Sequence, residues 1–363
     1  MLKQQKIFFD FLRFCIGSAK EIPGSLKEAD WKELYAIAQK QALLGVLFYG
    51  IQRLPKGLAP EQKLLMQWMV MAQQIRKQNI RLFQNSVKIC QNFENEGFAN
   101  CILKGQGNAL LYPDPYMRTP GDIDIYLLGG RRKIMKYVDQ VCPNQVMRYH
   151  HVDFPVMKTA IEVHFTPSYM FCPIHNRRMQ KWFEEVMGEQ CNHRGSLPDG
   201  YGEIHVPQVS FNVIYILSHL YRHIFTEGIG LRQLLDYYYV LISDDLLLIR
   251  DRVQKELKHL GLWKFAQAVM FVMKEVFGLS EDRMIAPMDE KEGRFLLDEI
   301  MRGGNFGQYD DRMGSKVDES KIHRYFRMNL RNLRFVKHYP AEAVCEPVFR
   351  TWFAGWKFIN RIK

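Results

Sequence analysis

The chain has 363 residues, with 50 Lys+Arg against 39 Asp+Glu for a formal net charge of +11, and it is 47% hydrophobic and 13% aromatic. That balance buries a large core, which excludes a disordered chain or a fibrous repeat, and the length suits two or three packed units. Ten Lys/Arg against two acids from Lys321 to Lys363 put most of the excess charge in the tail, where it serves solubility or an anionic partner.

The first segment, MLKQQKIFFDFLRFCIGS, sets Asp10 and Arg13 inside its apolar run, unlike a signal peptide or membrane anchor. Residues 1–96 are predicted helical. Leu34, Ile37, Ala38 and the run Gln41 to Val46 carry helical spacing, and a long second pattern runs from Glu61 to Glu96. Pro55, Gly57 and Pro60 separate the two, and Gly97 closes the second. Residues 97–206 change period: strands are predicted at Ala99 to Leu103, Asp122 to Leu127, Val146 to Val156 and Thr159 to Phe165, with a helix near Arg131 to Cys142. That alternation implies a small mixed sheet with helices on one face. Residues 207–363 are helical again, at Phe211 to Phe225, Leu231 to Ile242, Asp251 to Phe277 and Ile322 to Val336. The fold class is α+β, a small mixed β-sheet core flanked by helical N- and C-terminal regions. The uncharged stretch from Ile204 to Tyr221 holds Pro207, Gln208 and Asn212 and is too polar to span a membrane. Seven scattered cysteines without a CxxC read as free thiols in a reducing compartment, which points to the cytoplasm.

The chemistry concentrates in Leu103 to Leu128. Asp122 and Asp124 alternate with Ile123 and Ile125, so a strand puts both carboxylates on one face. Such a pair repels unless a cation sits between, and a hard divalent ion, normally Mg²⁺, suits oxygen ligands. In Thr159 to Phe165, Glu162 and His164 share the polar face of a second strand, and three carboxylates can hold two such ions. Upstream, Lys104-Gly105 and Gly107 offer a cation and a glycine loop for an anion, and Arg118 lies four residues before Asp122.

This order resembles the DNA polymerase beta-like nucleotidyltransferase superfamily, and more closely its bacterial branch of uncharacterised nucleotidyltransferases. The residues that carry the resemblance are Lys104-Gly105, Arg118, Gly121-Asp122-Ile123-Asp124-Ile125 and Ile161-Glu162-Val163-His164-Phe165. Downstream, His219-Leu220 through His223, Leu231-Arg232, Asp236 and the loop Gly303 to Gly307 are similar too. The glycine loop departs from the usual pattern, because Gln106 follows Gly105 and Asn108 follows Gly107. The resemblance implies Mg²⁺-dependent transfer of a nucleotidyl group from an NTP such as ATP to an RNA, protein or small-molecule acceptor, with release of pyrophosphate. Asp122, Asp124 and Glu162 would hold the metals, Glu162 would also serve as base, Lys104, Gly105, Gly107 and Arg118 would meet the triphosphate, and His164 would support Glu162. The alternatives are a catalytically inactive nucleotide-binding module, or RNA binding or HEPN-like RNA cleavage by the basic C-terminal helix.

Other patterns have plainer readings beside the sharp ones. His219 and His223 have zinc spacing on a helix but no third ligand, and Cys172-x-x-His175 with Cys191-x-His193 has zinc-like residue types at too tight a spacing. Arg324, Arg327, Arg331 and Arg334 form a basic helix face that would suit a phosphate backbone, opposite an apolar face of Ile322, Tyr325, Phe326, Leu330, Leu333 and Val336. Arg331 with His338 resembles the R-x(4 to 6)-H signature of HEPN ribonucleases. The last apolar face, with Phe349, Trp352, Phe353, Trp356 and Ile359, is expected to dock on the core rather than on an anionic membrane.

Overall fold

The computed structural model describes residues 2–313 and 320–359. Four helices open the chain: α1 (Lys3–Ile16), α2 (Trp31–Lys40), α3 (Leu44–Ile51) and α4 (Gln62–Asn95). The helical run through Val46 is interrupted because Gln41 turns its side chain inward, donating to Ile300 O at 3.1 Å and accepting from Leu231 N at 2.9 Å. At 34 residues, α4 is about 50 Å long and forms the back wall of the sheet.

The α/β segment contains β1 (Asn100–Ile102), α5 (Gln106–Ala109), β2 (Ile123–Leu127), α6 (Gly130–Val141), β3 (His151–Asp153), β4 (Ile161–His164), α7 (Pro173–Gln190), β5 (Arg194–Ser196) and β6 (Glu203–His205). The main sheet has the order β1-β2-β4-β3, with β2 and β4 parallel and both edge pairs antiparallel, while β5 and β6 form a separate hairpin. The expected long strand from Val146 shortens to β3 because the chain folds back on itself, pairing Met147 with Val152.

Both faces of the sheet are covered, not one. Ile123, Ile125, Ile161 and Val163 pack with Phe83, Ile89 and Phe93 of α4 and Ile134 and Val138 of α6. The opposite face contributes Cys101, Leu103 and Tyr126 to a larger apolar cluster that includes α8. This second face carries the polar residues.

The remaining helices are α8 (Val209–Thr226), α9 (Leu231–Leu241), α10 (Asp245–His259), α11 (Trp263–Val272), which ends in a π-helical turn Met273–Phe277, α12 (Glu290–Gly303), α13 (Lys321–Val336) and α14 (Pro340–Ile359). The single helix expected from Asp251 to Phe277 is two, broken at Gly261, whose φ of +76° suits glycine. No described helix is long and apolar enough to cross a membrane.

α13 docks by the stripe opposite to the expected one. Arg331, Asn332 and Phe335 are buried, whereas Phe326, Leu330 and Leu333 are about two-thirds exposed. Arg331 donates to Ile224 O at 2.7 Å and Arg334 pairs with Glu299 and Asp310, so these two arginines serve the protein's own carbonyls and carboxylates rather than an open basic face. His338 goes elsewhere, to Glu292 at 2.8 Å and flat on Phe295, and forms no joint site with Arg331. The expected apolar face of α14 docks only in part: Phe349 packs against Tyr149 and Tyr169 and Phe353 against Tyr149, whereas Trp352 and Ile359 stay exposed.

The tight contact between α3 and the loop before β2 is testable. A Cβ at Gly45 would overlap the Met117 carbonyl oxygen. Gly45→Val is expected to cost about 1–3 kcal/mol, read as a lowered midpoint in denaturant unfolding.

Candidate active site

Period-two alternation brings the carboxylates together. Asp124 is opposite Glu162 in the parallel β2–β4 pair, and Tyr126 is opposite His164. Asp122 sits just before β2, on the same side as Asp124, and lines the same cleft. Asp124 is buried, and its Oδ1 accepts from Lys104 Nζ at 2.9 Å and lies 3.0 Å from His164 Nε2. Glu162 Oε2 lies 3.2 Å from His151 Nδ1 and 3.5 Å from His164 Nε2. Ligand atoms of Asp124, Glu162 and His164 fall within 4.8 Å of one another.

The charges strain against each other. Repulsion from Asp124, helped by burial, pushes the Asp122 carboxyl up to about 6. Burial works against ionised Asp124 too, but Lys104 and His164 outweigh it and hold that carboxyl well below the usual range. His164 shows the converse: burial disfavours its charge, but hydrogen bonds to Asp124 and Glu162 raise its pKa overall. Burial drives His151 down to about 3 and His219 well below its ordinary value, so both imidazoles are neutral. A set of three carboxylates, one of them poorly neutralised, fits a hard divalent cation by donor chemistry.

The remaining predicted residues divide. Lys104 lines the cleft, but its ammonium is engaged by Asp124, with His219 Nε2 3.4 Å away. Gly105 adopts φ +56° and ψ −103°, and a Cβ there would press on Asp122 O; the backbone needs glycine to bend from β1 past β2. Gly107 sits differently from the anion-contact expectation. Its N–H donates to Lys104 O at 3.1 Å and a Cβ there would press on Val206 and Ile102 O, so its missing side chain serves packing. Arg118 is buried in a two-pronged ion pair with Asp236, both contacts at 2.8 Å, and Tyr112 donates to the same carboxylate at 2.8 Å. It therefore locks the loop before Asp122 instead of pointing a bare guanidinium at the cleft. Asn79 of α4 fixes that loop from behind, donating to Tyr116 O and Arg118 O.

Sequence reasoning missed other residues here. Arg232 lines the cleft near Asp122, donates to Thr119 O at 3.1 Å and keeps a buried Nε with no hydrogen-bond partner. Burial and the adjacent Arg118 lower its pKa against the pull of Asp236, whose two oxygens are taken by Arg118. Its place in the downstream resemblance was the available signal. His150 and His151 carry no signal in the sequence, because only the β3–β4 pairing brings His151 beside Glu162 and His150 beside His164. His219 and His223 flank Arg222, whose Nη2 reaches both rings at 3.3 and 3.1 Å; His219 lines the cleft, and the pair belongs to no metal-ligand group among the described residues. Cys191 is buried in the apolar core and His193 bonds Val206 O, so neither joins Cys172 and His175.

The model of one family, described as uncharacterised nucleotidyltransferase, matches residues 27–278. No curated protein matches the chain.

The Arg118–Asp236 lock has a measurable consequence. Asp236→Asn leaves a buried guanidinium without its carboxylate and is expected to cost about 3–5 kcal/mol, seen as a lower unfolding midpoint in urea.

Proposed function

The chain belongs to this family of uncharacterised nucleotidyltransferases, and from that premise we propose that it moves a nucleotidyl group from an NTP to an acceptor hydroxyl on a core of the DNA polymerase beta-like type. The observation that carries this reading is the Asp124–Glu162 register on parallel strands, with Asp122 two residues upstream on the same face. Asp122, Asp124 and Glu162 would hold Mg²⁺, which supplies charge neutralisation and polarisation of the phosphate when bound. The acceptor oxygen bonds to the α-phosphorus as the bond to pyrophosphate breaks, and the acceptor proton passes to Glu162. His151 and His164 orient that carboxylate through its Oε2. Lys104 and Arg232 take up triphosphate charge, while Arg118 is a positioning residue for the Asp122 loop. Positioning and charge stabilisation supply most of the catalysis. The acceptor is RNA, protein or a small molecule. Seven cysteines without a disulfide support a reducing compartment such as the cytoplasm.

Each α-labelled NTP, incubated with the protein and Mg²⁺ in a cell extract, is expected to put label into one of these acceptor classes. Asp122→Asn combined with Asp124→Asn should reduce transfer by about a thousandfold or more; transfer at the original rate would sink the proposal. Arg232→Ala is expected to raise the KM for NTP about ten- to a hundredfold, with the unfolding midpoint little changed. A lost midpoint at unchanged KM would instead assign Arg232 a structural role.

A further inference from the structure

Away from the cleft, four metal-ligating side chains converge where two helices begin. Cys172 immediately precedes α7 and His175 lies in its first turn, while Glu342 and Cys345 lie in the first two turns of α14. The ligand atoms of Cys172, His175 and Glu342 are within 4.8 Å of one another, and Cys345 lies beside Cys172 and Glu342. The sequence motif Cys172-x-x-His175 thus finds its second half some 170 residues away, not at Cys191 and His193.

Glu342 is the unusual member. Its side chain is only 1% exposed, and a buried carboxylate is costly without a cation or several donors. Oε2 accepts from Phe171 N and Cys172 N, the latter at 3.1 Å, and Oε1 lies 2.9 Å from His175 Nδ1. One oxygen is thus held by backbone donors, as carboxylate ligands of metals commonly are, while the other faces the imidazole. The His175 ring lies on Gly261, where no side chain would fit, so its orientation is fixed.

We infer that Cys172, Cys345, His175 and Glu342 form a structural zinc site that clamps the start of α14 to the start of α7. Two sulfurs, one imidazole and one carboxylate are a borderline-soft set of four, suited to tetrahedral Zn²⁺ and unsuited to Mg²⁺. Binding releases the two thiol protons to solvent while His175 ligates as the neutral ring. The net negative charge of the filled site lies at the N-termini of two long helices, where their dipoles favour it. None of these ligands belongs to the carboxylate cleft, so the inference stands apart from the nucleotidyl-transfer reading.

Purified full-length protein, loaded with Zn²⁺ and dialysed, is expected to retain about one zinc per chain. Asp122→Asn with Asp124→Asn should keep that zinc, and Cys172→Ser with Cys345→Ser should lose it. Co²⁺ in place of Zn²⁺ should give the wild-type chain a thiolate-to-cobalt charge-transfer band, a readout that does not depend on any variant folding. No retained zinc and no such band would overturn the site. So would zinc lost with the aspartates and kept without the two cysteines, or a Cys172–Cys345 disulfide as the resting state.

Discussion

Three carboxylates facing one another across two parallel strands repel, and the elements around the sheet are arranged against that repulsion. The end of β1 supplies Lys104, β4 supplies His164, β3 supplies His151, and α9 brings Arg232 near Asp122. Compensation is uneven. Asp124 receives both Lys104 and His164, while Asp122 is left with its carboxyl raised to about 6. The protein thus fixes the carboxylates through packing on their far side, where Ile123, Ile125, Ile161 and Val163 meet α4 and α6, and leaves part of the charge unpaid. A divalent cation would complete such a site, whereas further lysines would have filled it.

Much of this arrangement is legible in the sequence because it rests on period two. Asp122, Asp124, Glu162 and His164 fall on one face whatever the strand pairing, and the isoleucines between them identify the other. Partners set by tertiary contact are not legible this way. Arg118 reads as a free cation until Asp236, 118 residues on, takes both prongs. Gly107 reads as an anion contact until Val206 packs against it. The coarse α+β order is readable from changes of period, but α7, α12 and the β5–β6 hairpin leave no such mark, and the helical spacing from Asp251 runs on through Gly261. A glycine inside an apolar pattern does not announce a break, since only the packing shows that His175 occupies its side-chain space.

The basic tail teaches a related lesson. An amphipathic pattern names two stripes, and the usual assumption buries the apolar one. In α13 the buried stripe contains Arg331 and Asn332, because α8 ends nearby and its last carbonyls lack helical partners. Arg331 donates to Ile224 O and Asn332 to Phe225 O, capping those groups, while Arg334 neutralises Glu299 and Asp310. Part of the local positive charge is therefore internal, spent on the chain's own oxygens.

These contacts make α8 the element shared by site and tail. Its middle turns place His219 beside Lys104, and its C-terminal end receives α13. Directly after it, Gly228 lies against Gly307 and Gly230 against Asn305, with room for backbone but not for side chains. That close approach carries the loop after α12 over the cleft, where Phe306 meets the His223 ring at 5.7 Å and the Arg232 guanidinium at 5.3 Å. The glycines around Phe306 thus have a physical reason that no single-element reading supplies. They let two backbones touch, and so seat an aromatic ring beside the one guanidinium in the cleft that Asp236 does not hold.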